Sequence, residues 1–306
     1  MNQTNIISDL ITWIEKNLEQ PLSIDHVAAK SGYSKWHLQR MFKKVTGQVL
    51  GTYIRHRRLT HAALALRLTS KPILDIAMQY RCDSQQTFTR SFKKQFNVTP
   101  AHYRRSKYWD PSGLKAPIEL NKIPLTLPEP MLINFPEQSF WGITYKNNCN
   151  LNELLQKQNG LRKKFFCDYF SKYFKDQEPL PYKIFTFSRV ITSSDQLDEQ
   201  EMLYTIALEK NDIIKGAEKF VNKGGSYVCF KFNGIPNEFL DFVSQIYFLA
   251  LPRLNLKLRS SELIEIHYNH NNLNADEVCK ITPESTVLEC IYCIPIATQT
   301  ELNSEV

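Results

Sequence analysis

Apolar positions recur at helical spacing from the start of the chain. Ile6, Ile7, Leu10, Ile11 and Ile14 fall on one face, Leu18 follows one turn later, and Pro21 ends the run. Ser23 is an N-cap for a short helix over 24–30, and Gly32 supplies a turn that tolerates positive φ. Ser34 opens a third helix running to about residue 45, which Gly47 closes. On a helical wheel, Leu38, Met41, Phe42 and Val45 share one arc. Trp36, Gln39, Arg40 and Lys43 share the opposite one. A solvated stripe normally avoids Trp.

The pattern then repeats. Residues 34–47 realign with 84–97 at an offset of 50: Ser34 with Ser84, Leu38 with Phe88, Arg40 with Arg90, Phe42-Lys43-Lys44 with Phe92-Lys93-Lys94. The second polar stripe is Gln86, Thr89, Arg90 and Lys93, and Gln85 lies near its apolar arc. A helix over 73–80 precedes it, with Ala77 standing where the first copy has Ala28 at an offset of 49. The second turn is therefore one residue longer, and it holds Arg81-Cys82 in place of glycine. Residues 49–69 contain no Pro and predict one helix of about 20 residues, about 30 Å long. Two short helices around a turn, twice, are the helix-turn-helix pattern. A rod of that length would hold both second helices in successive major grooves, about 34 Å apart. One copy of the chain could then read an asymmetric site.

Beyond residue 107 the texture changes. Residues 107–130 contain five Pro and one Gly, which suits a linker over 108–124. Strand-like runs follow at 139–145, 182–187, 202–208, 226–232, 263–268 and 287–296, with helical patterns over 151–174 and 237–251. The expected architecture is multidomain. An all-α double helix-turn-helix domain (1–107) is joined to an α+β domain of two tandem β-α-β-β units (125–296), with a frayed tail (297–306).

Charge sharpens this division. Of the 306 residues, 1–107 hold 18 Lys and Arg against 6 Asp and Glu, a net of +12, whereas 108–306 hold 20 against 25, a net of −5. So concentrated an excess suits a polyanion. Arg can bond guanine and Gln adenine in a bidentate manner, which makes Trp36, Gln39, Arg40, Lys43, Gln86, Thr89, Arg90 and Lys93 candidate base-reading residues. Lys35, Lys44, Arg55, Arg57, Arg58 and Lys94 are candidate phosphate contacts. The alternative is a solvated basic face whose Trp36 packs on a neighbouring domain. Seven scattered Cys suit a reducing cytosol rather than a disulfide framework. No apolar run is long enough for a membrane span, and the start resembles no signal peptide.

Residues 32–43, Gly-Tyr-Ser-Lys-Trp-His-Leu-Gln-Arg-Met-Phe-Lys, resemble the first helix-turn-helix of the AraC/XylS family. Residues 84–105 resemble its second-motif signature, and within the family the match is nearest the Rob/MarA/SoxS group. That resemblance implies a cytoplasmic, nucleoid-associated activator of stress and multidrug-resistance promoters that binds double-stranded DNA and contacts RNA polymerase. It places base reading on Trp36, Gln39 and Arg40, and on Gln85, Gln86 and Arg90. A monomer is expected.

Residues 263–268 (Leu-Ile-Glu-Ile-His-Tyr) and 288–296 are similar to strands of the GyrI-like effector-binding domain. That similarity implies a small hydrophobic or cationic effector at Glu265. Trp141, Tyr145, Tyr204, Tyr227 and Tyr268 are candidate aromatic walls. The alternative is a Glu265 facing solvent. Two other functions stay open: a hydrolase using Glu265 as general base, and an abundant DNA binder of low sequence choice. No cofactor and no metal site are expected. Cys290 and Cys293, three apart on a strand, point to opposite faces, and His267 and His270 lack ligand partners at useful spacing. No nucleotide-binding or hydrolase motif occurs, so no enzyme is expected.

Overall fold

A computed structural model describes residues 2–120, 127–150, 164–165, 167–170, 172, 174, 179–192, 197, 199–210, 216–274, 277 and 288–303. The N-terminal part is helical: α1 (Gln3–Lys16), α2 (Ile24–Ser31), α3 (Lys35–Thr46), α4 (Leu50–Leu68), α5 (Ile73–Gln79), α6 (Gln85–Phe96) and α7 (Pro100–Arg105). The apolar positions read from the sequence form its core. Ile7, Leu10, Ile11 and Ile14 of α1 pack with Leu38, Met41 and Phe42 of α3 and with Leu50, Tyr53 and Ile54 of α4. The other half of α4 is buried on all sides, with Ala62 to Leu66 in unbroken succession, as befits a central helix.

The C-terminal part is a curled antiparallel sheet. Its strands are β1 (Met131–Phe135), β2 (Gln138–Asn150), β3 (Lys183–Thr192), β4 (Glu199–Leu208), β5 (Glu218–Asn222), β6 (Gly225–Gly234), β7 (Leu263–Tyr268) and β8 (Leu288–Pro295). They lie in the order β1-β6-β8-β7-β3-β4-β2-β5. From the central β3–β7 pair, the order therefore runs outward through β4, β2 and β5 on one side and through β8, β6 and β1 on the other. The short edge strands β1 and β5 carry too little apolar alternation to stand out in the sequence. The helical pattern at 151–174 falls largely outside the described residues.

Two faces follow from the strand alternation. Phe140, Phe185, Phe187, Tyr227, Cys229, Ile264, Ile266 and Cys293 share one apolar cluster. The other face carries Tyr204, Ile206, Phe230, Glu265, Cys290 and Tyr292. Helices cover part of it: α8 (Pro236–Gln245), a π-helical turn (Ile246–Ala250) and α9 (Leu251–Leu254). The wide turn has a local cause. Pro252 has no N–H to return to Phe248, and the Leu251 N–H reaches back to Ile246 instead.

The two parts are docked. Trp109 and Leu258 exchange both backbone hydrogen bonds at 2.8 Å. One continuous cluster joins Phe88, Phe92, Phe96 and Tyr103 to Tyr204 and Ile206 of β4. The Pro-rich linker thus meets the C-terminal part at Trp109 and packs Ile118 and Leu120 on the N-terminal helices. The expected frayed tail is corrected at residues 299–303, which form α10 (Gln299–Asn303). Thr298 and Glu301 cap it reciprocally: the Thr298 N–H donates to Glu301 Oε2 at 2.7 Å, and the Glu301 N–H donates to Thr298 Oγ1 at 3.2 Å.

Candidate nucleic-acid interface and interdomain cavity

α3 and α6 begin alike. Ser34 Oγ accepts from the His37 N–H at 3.3 Å, and Ser84 Oγ accepts from the Thr87 N–H at 3.1 Å. Both end in a left-handed residue, Gly47 and Asn97. With Leu38, Met41 and Phe42 buried, α3 presents Trp36, Gln39, Arg40 and Lys43 to solvent. Trp36 is 67% exposed, and its ring lies 5.3 Å from the Arg40 guanidinium carbon, a cation–π contact that keeps both at the surface. With Phe88, Phe92 and Phe96 buried, α6 presents Gln85, Gln86, Arg90 and Lys93, with Thr89 half-buried beside them. Gln85, set near the apolar arc by the wheel, is exposed.

The turns before these helices differ. Gly32 adopts φ 73°, whereas Arg81 adopts φ 60°. The Cys82 N–H closes the longer turn onto Ala77 O at 2.9 Å, and Arg81 Nε donates to Glu19 O at 2.5 Å.

Lys35, Lys44, Arg55 and Lys94 are exposed around the same helices. Lys35 pairs with Asp25. His56 is held below the ordinary imidazole range by burial, and then by the charges of Arg55, Lys115 and Lys94. Arg57 is a correction: it is 4% exposed and faces inward, so it cannot touch a phosphate. Its Nη2 lies 2.9 Å from Glu15 Oε2, its Nη1 donates to Lys115 O, and Tyr53 Oη donates to Glu15 Oε1 at 2.6 Å. Burial alone would raise the Glu15 carboxyl; the Arg57 charge and the hydrogen bonds from Arg57 and Tyr53 overturn this and hold it below the usual range. Arg58 is likewise engaged, donating to Leu18 O at 2.8 Å and Gln20 O at 2.7 Å.

Between α4 and the C-terminal part lies a cavity of about 460 Å³. From α4 come Arg57, His61 and Arg67. The sheet supplies Arg189, Tyr204 and Tyr292, the linker Trp109, and the π-helical turn Tyr247 and Phe248. The Arg57 guanidinium lies over the Phe248 ring at 5.5 Å, and Trp109 stacks on Tyr247 at 6.1 Å. Burial, and then Arg57, pushes His61 down to about 4, so its ring is neutral at physiological pH. No carboxylate is among the described lining residues.

Of the six residues expected at the effector cleft, only Tyr204 lines this cavity. Trp141 and Tyr145 share its sheet face, and Tyr145 stacks on Phe165 at 4.8 Å. Tyr227 and Tyr268 point to the opposite face, because strand alternation separates them from Glu265. Glu265 is 1% exposed and does not face solvent. Its Oε2 lies 3.1 Å from His267 Nε2. His267 thus has partners that its place in the sequence hid, while His270 Nε2 lies 2.8 Å from Glu289 Oε2. Cys290 and Cys293 diverge to opposite faces as the alternation requires. His61, Arg67, Tyr247 and Phe248 line this cavity without having stood out in the sequence. Their meeting depends on the docking of two distant segments, which leaves no local signal.

Residues 27–106 match the model of a helix-turn-helix domain. The transcriptional regulator Rob of Salmonella typhimurium is 42% identical over 299 residues, which cover 97% of this chain and 99% of the relative. The right origin-binding protein of Escherichia coli K12 is 41% identical over the same shares. The regulatory protein SoxS of Escherichia coli K12 is 60% identical over 104 residues, covering 34% of this chain and 97% of SoxS.

Proposed function

Because the chain belongs to the family of Rob regulators, with an AraC-type helix-turn-helix domain and a likeness that runs the full length, we propose that it is a sequence-specific DNA-binding transcription activator governed by a small effector. The observation that carries this reading is the pair of capped, exposed stripes on α3 and α6, Trp36/Gln39/Arg40/Lys43 and Gln85/Gln86/Arg90/Lys93, with one rigid helix between them. Each stripe has the side chains that bond base edges. Lys35, Lys44, Arg55 and Lys94 would set register on the phosphates. A monomer would read an asymmetric duplex at stress and multidrug-resistance promoters, in the nucleoid, and would contact RNA polymerase there. The full-length relatives are regulators, and the chain is not an enzyme.

The C-terminal part is a GyrI-like effector domain in this reading. The mirrored strand order about β3–β7 supports two related halves. The effector would occupy the interdomain cavity, where Arg67 and Arg259 stand with Arg57 and Arg189, themselves paired with Glu15 and Glu262, around aromatic walls with no carboxylate among the described lining residues. The Arg67 and Arg259 charges disfavour the cationic ligand expected from the sequence. They favour an apolar body with an anionic or hydrogen-bond-accepting end.

The test is selection of bound duplexes from a random pool, with and without an alkyl carboxylate or an alkyl ammonium of equal length. The enriched site should be asymmetric, with two segments about one helical turn apart. Arg40→Ala should relax one segment and Arg90→Ala the other, each by about 1–3 kcal/mol. The carboxylate should change occupancy and the ammonium should not. Equal affinity for unrelated duplexes would sink base-specific reading.

A further inference from the structure

β7 and β8 bring three side chains of different donor chemistry to one point on the helix-bearing face of the sheet. Glu265 and His267 are two apart on β7 and so share that face. Cys290 stands directly opposite His267 on β8. A carboxylate oxygen, an imidazole nitrogen and the thiol sulfur from these residues all lie within 4.8 Å of one another. Glu265 and Cys290 are each 1% exposed, while the His267 ring keeps partial access to solvent.

The separation of donors fits a small tetrahedral ion. Bonds of about 2.0–2.1 Å to oxygen and nitrogen give a tetrahedral edge of about 3.3 Å, and Glu265 Oε2 lies 3.1 Å from His267 Nε2. On β3 the residue directly opposite Glu265 is Thr186, 1% exposed, whose hydroxyl has no hydrogen-bond partner among the described residues. Neither the DNA-facing stripes nor the interdomain cavity uses any of these four residues.

We propose that Glu265, His267 and Cys290 form a transition-metal site of the zinc class. The carboxylate oxygen, His267 Nε2 and the Cys290 thiolate are its three protein ligands, and a water within reach of Thr186 takes the fourth position. The mixed oxygen, nitrogen and sulfur set suits zinc and disfavours magnesium or calcium, which take oxygen. On binding, the metal replaces the Cys290 thiol proton, which leaves to solvent, so affinity falls as pH falls. The ligands lie on adjacent central strands, and the ion would clamp β7 to β8.

The probe is Co²⁺, added to the full chain after chelator treatment. One saturable equivalent should bind with a tetrahedral visible spectrum and a thiolate-to-cobalt charge-transfer band, and Zn²⁺ should displace it. Cys290→Ser should abolish that band. His267→Gln should weaken binding at least about tenfold. Cys293→Ser, on the opposite face, should keep both band and affinity. The absence of saturable Co²⁺ binding overturns the proposal, and so does a charge-transfer band that survives Cys290→Ser. Should Cys290→Ser fail to fold by circular dichroism, His267→Gln decides alone: unchanged Co²⁺ affinity overturns the site. None of these readouts involves DNA, so they stand apart from the promoter-binding tests.

Discussion

In the first helix-turn-helix unit the chain turns through Gly32 at φ 73°, with no side chain near it. In the second, the same place holds Arg81 at φ 60°, a conformation that is costly for a residue with a Cβ, by about 1–2 kcal/mol. The second turn is held from outside. Arg81 bonds Glu19 O, Gln79 Nε2 donates to Glu19 Oε1 at 2.9 Å, and Lys71 Nζ donates to Gln79 Oε1 at 2.9 Å. The cores differ in the same way. The first unit packs in a cluster with α1 and the start of α4, whereas the second belongs to a cluster that continues into the sheet of the C-terminal part. One unit is specified mainly by its own residues and the other by its neighbours. A perturbation arriving through the sheet therefore meets the second unit first.

The largest effects should come from the two cores. Phe42→Ala and Phe92→Ala each remove a fully buried ring and should each cost about 3–5 kcal/mol in urea unfolding. Only Phe92→Ala should also speed proteolysis within 107–114, since Trp109 and Leu114 pack in the cluster of Phe92 while Ile118 and Leu120 pack on that of Phe42; equal cleavage there in both variants breaks the asymmetry. Arg57→Ala leaves Glu15 without its counter-charge and should cost about 3 kcal/mol. Glu15 has a depressed folded-state pKa, so its stabilisation is complete above the unfolded carboxylate pKa and is lost as pH falls through the folded one. The variant should lose that acid-side slope, and a parallel pH profile would contradict the pairing. Trp36→Ala should weaken duplex binding by about 1 kcal/mol, with selection altered only in the segment read by α3. Gly32→Ala should lower stability by about 1 kcal/mol through backbone conformation alone. Smallest of all, Arg81→Gly relieves strain while losing the bond to Glu19 O. Its net change should stay within about 1 kcal/mol, which separates a turn held by neighbours from one held by glycine.

The N-terminal part was legible because its signals are local. Ser34, Gly47 and Ser84 mark helix ends within four residues of the groups they bond, and the helical period separates Leu38 and Phe42 from Gln39 and Arg40 without reference to the rest of the chain. Arg57 was misread because composition shows a charge but not the carboxylate 42 positions away that turns it inward. The strand interiors 202–208 and 263–268 were legible from alternation. The edges β1 and β5 were not, since a five-residue strand acquires meaning only from its partner. For the same reason the cavity and the Glu265–His267–Cys290 cluster were invisible. Both depend on cross-strand register or domain docking, which no spacing in the chain encodes.

α4 has a consequence for how such a protein can change through descent. Because it joins the two helix-turn-helix units, the proposed reading heads, as one continuous spiral, adding or deleting a single residue would swing one head by about 100° around the other. Length changes in this lineage should thus be purged from residues 50–68 while loops elsewhere absorb them, and any heritable retuning of the spacing between heads must come through substitutions alone.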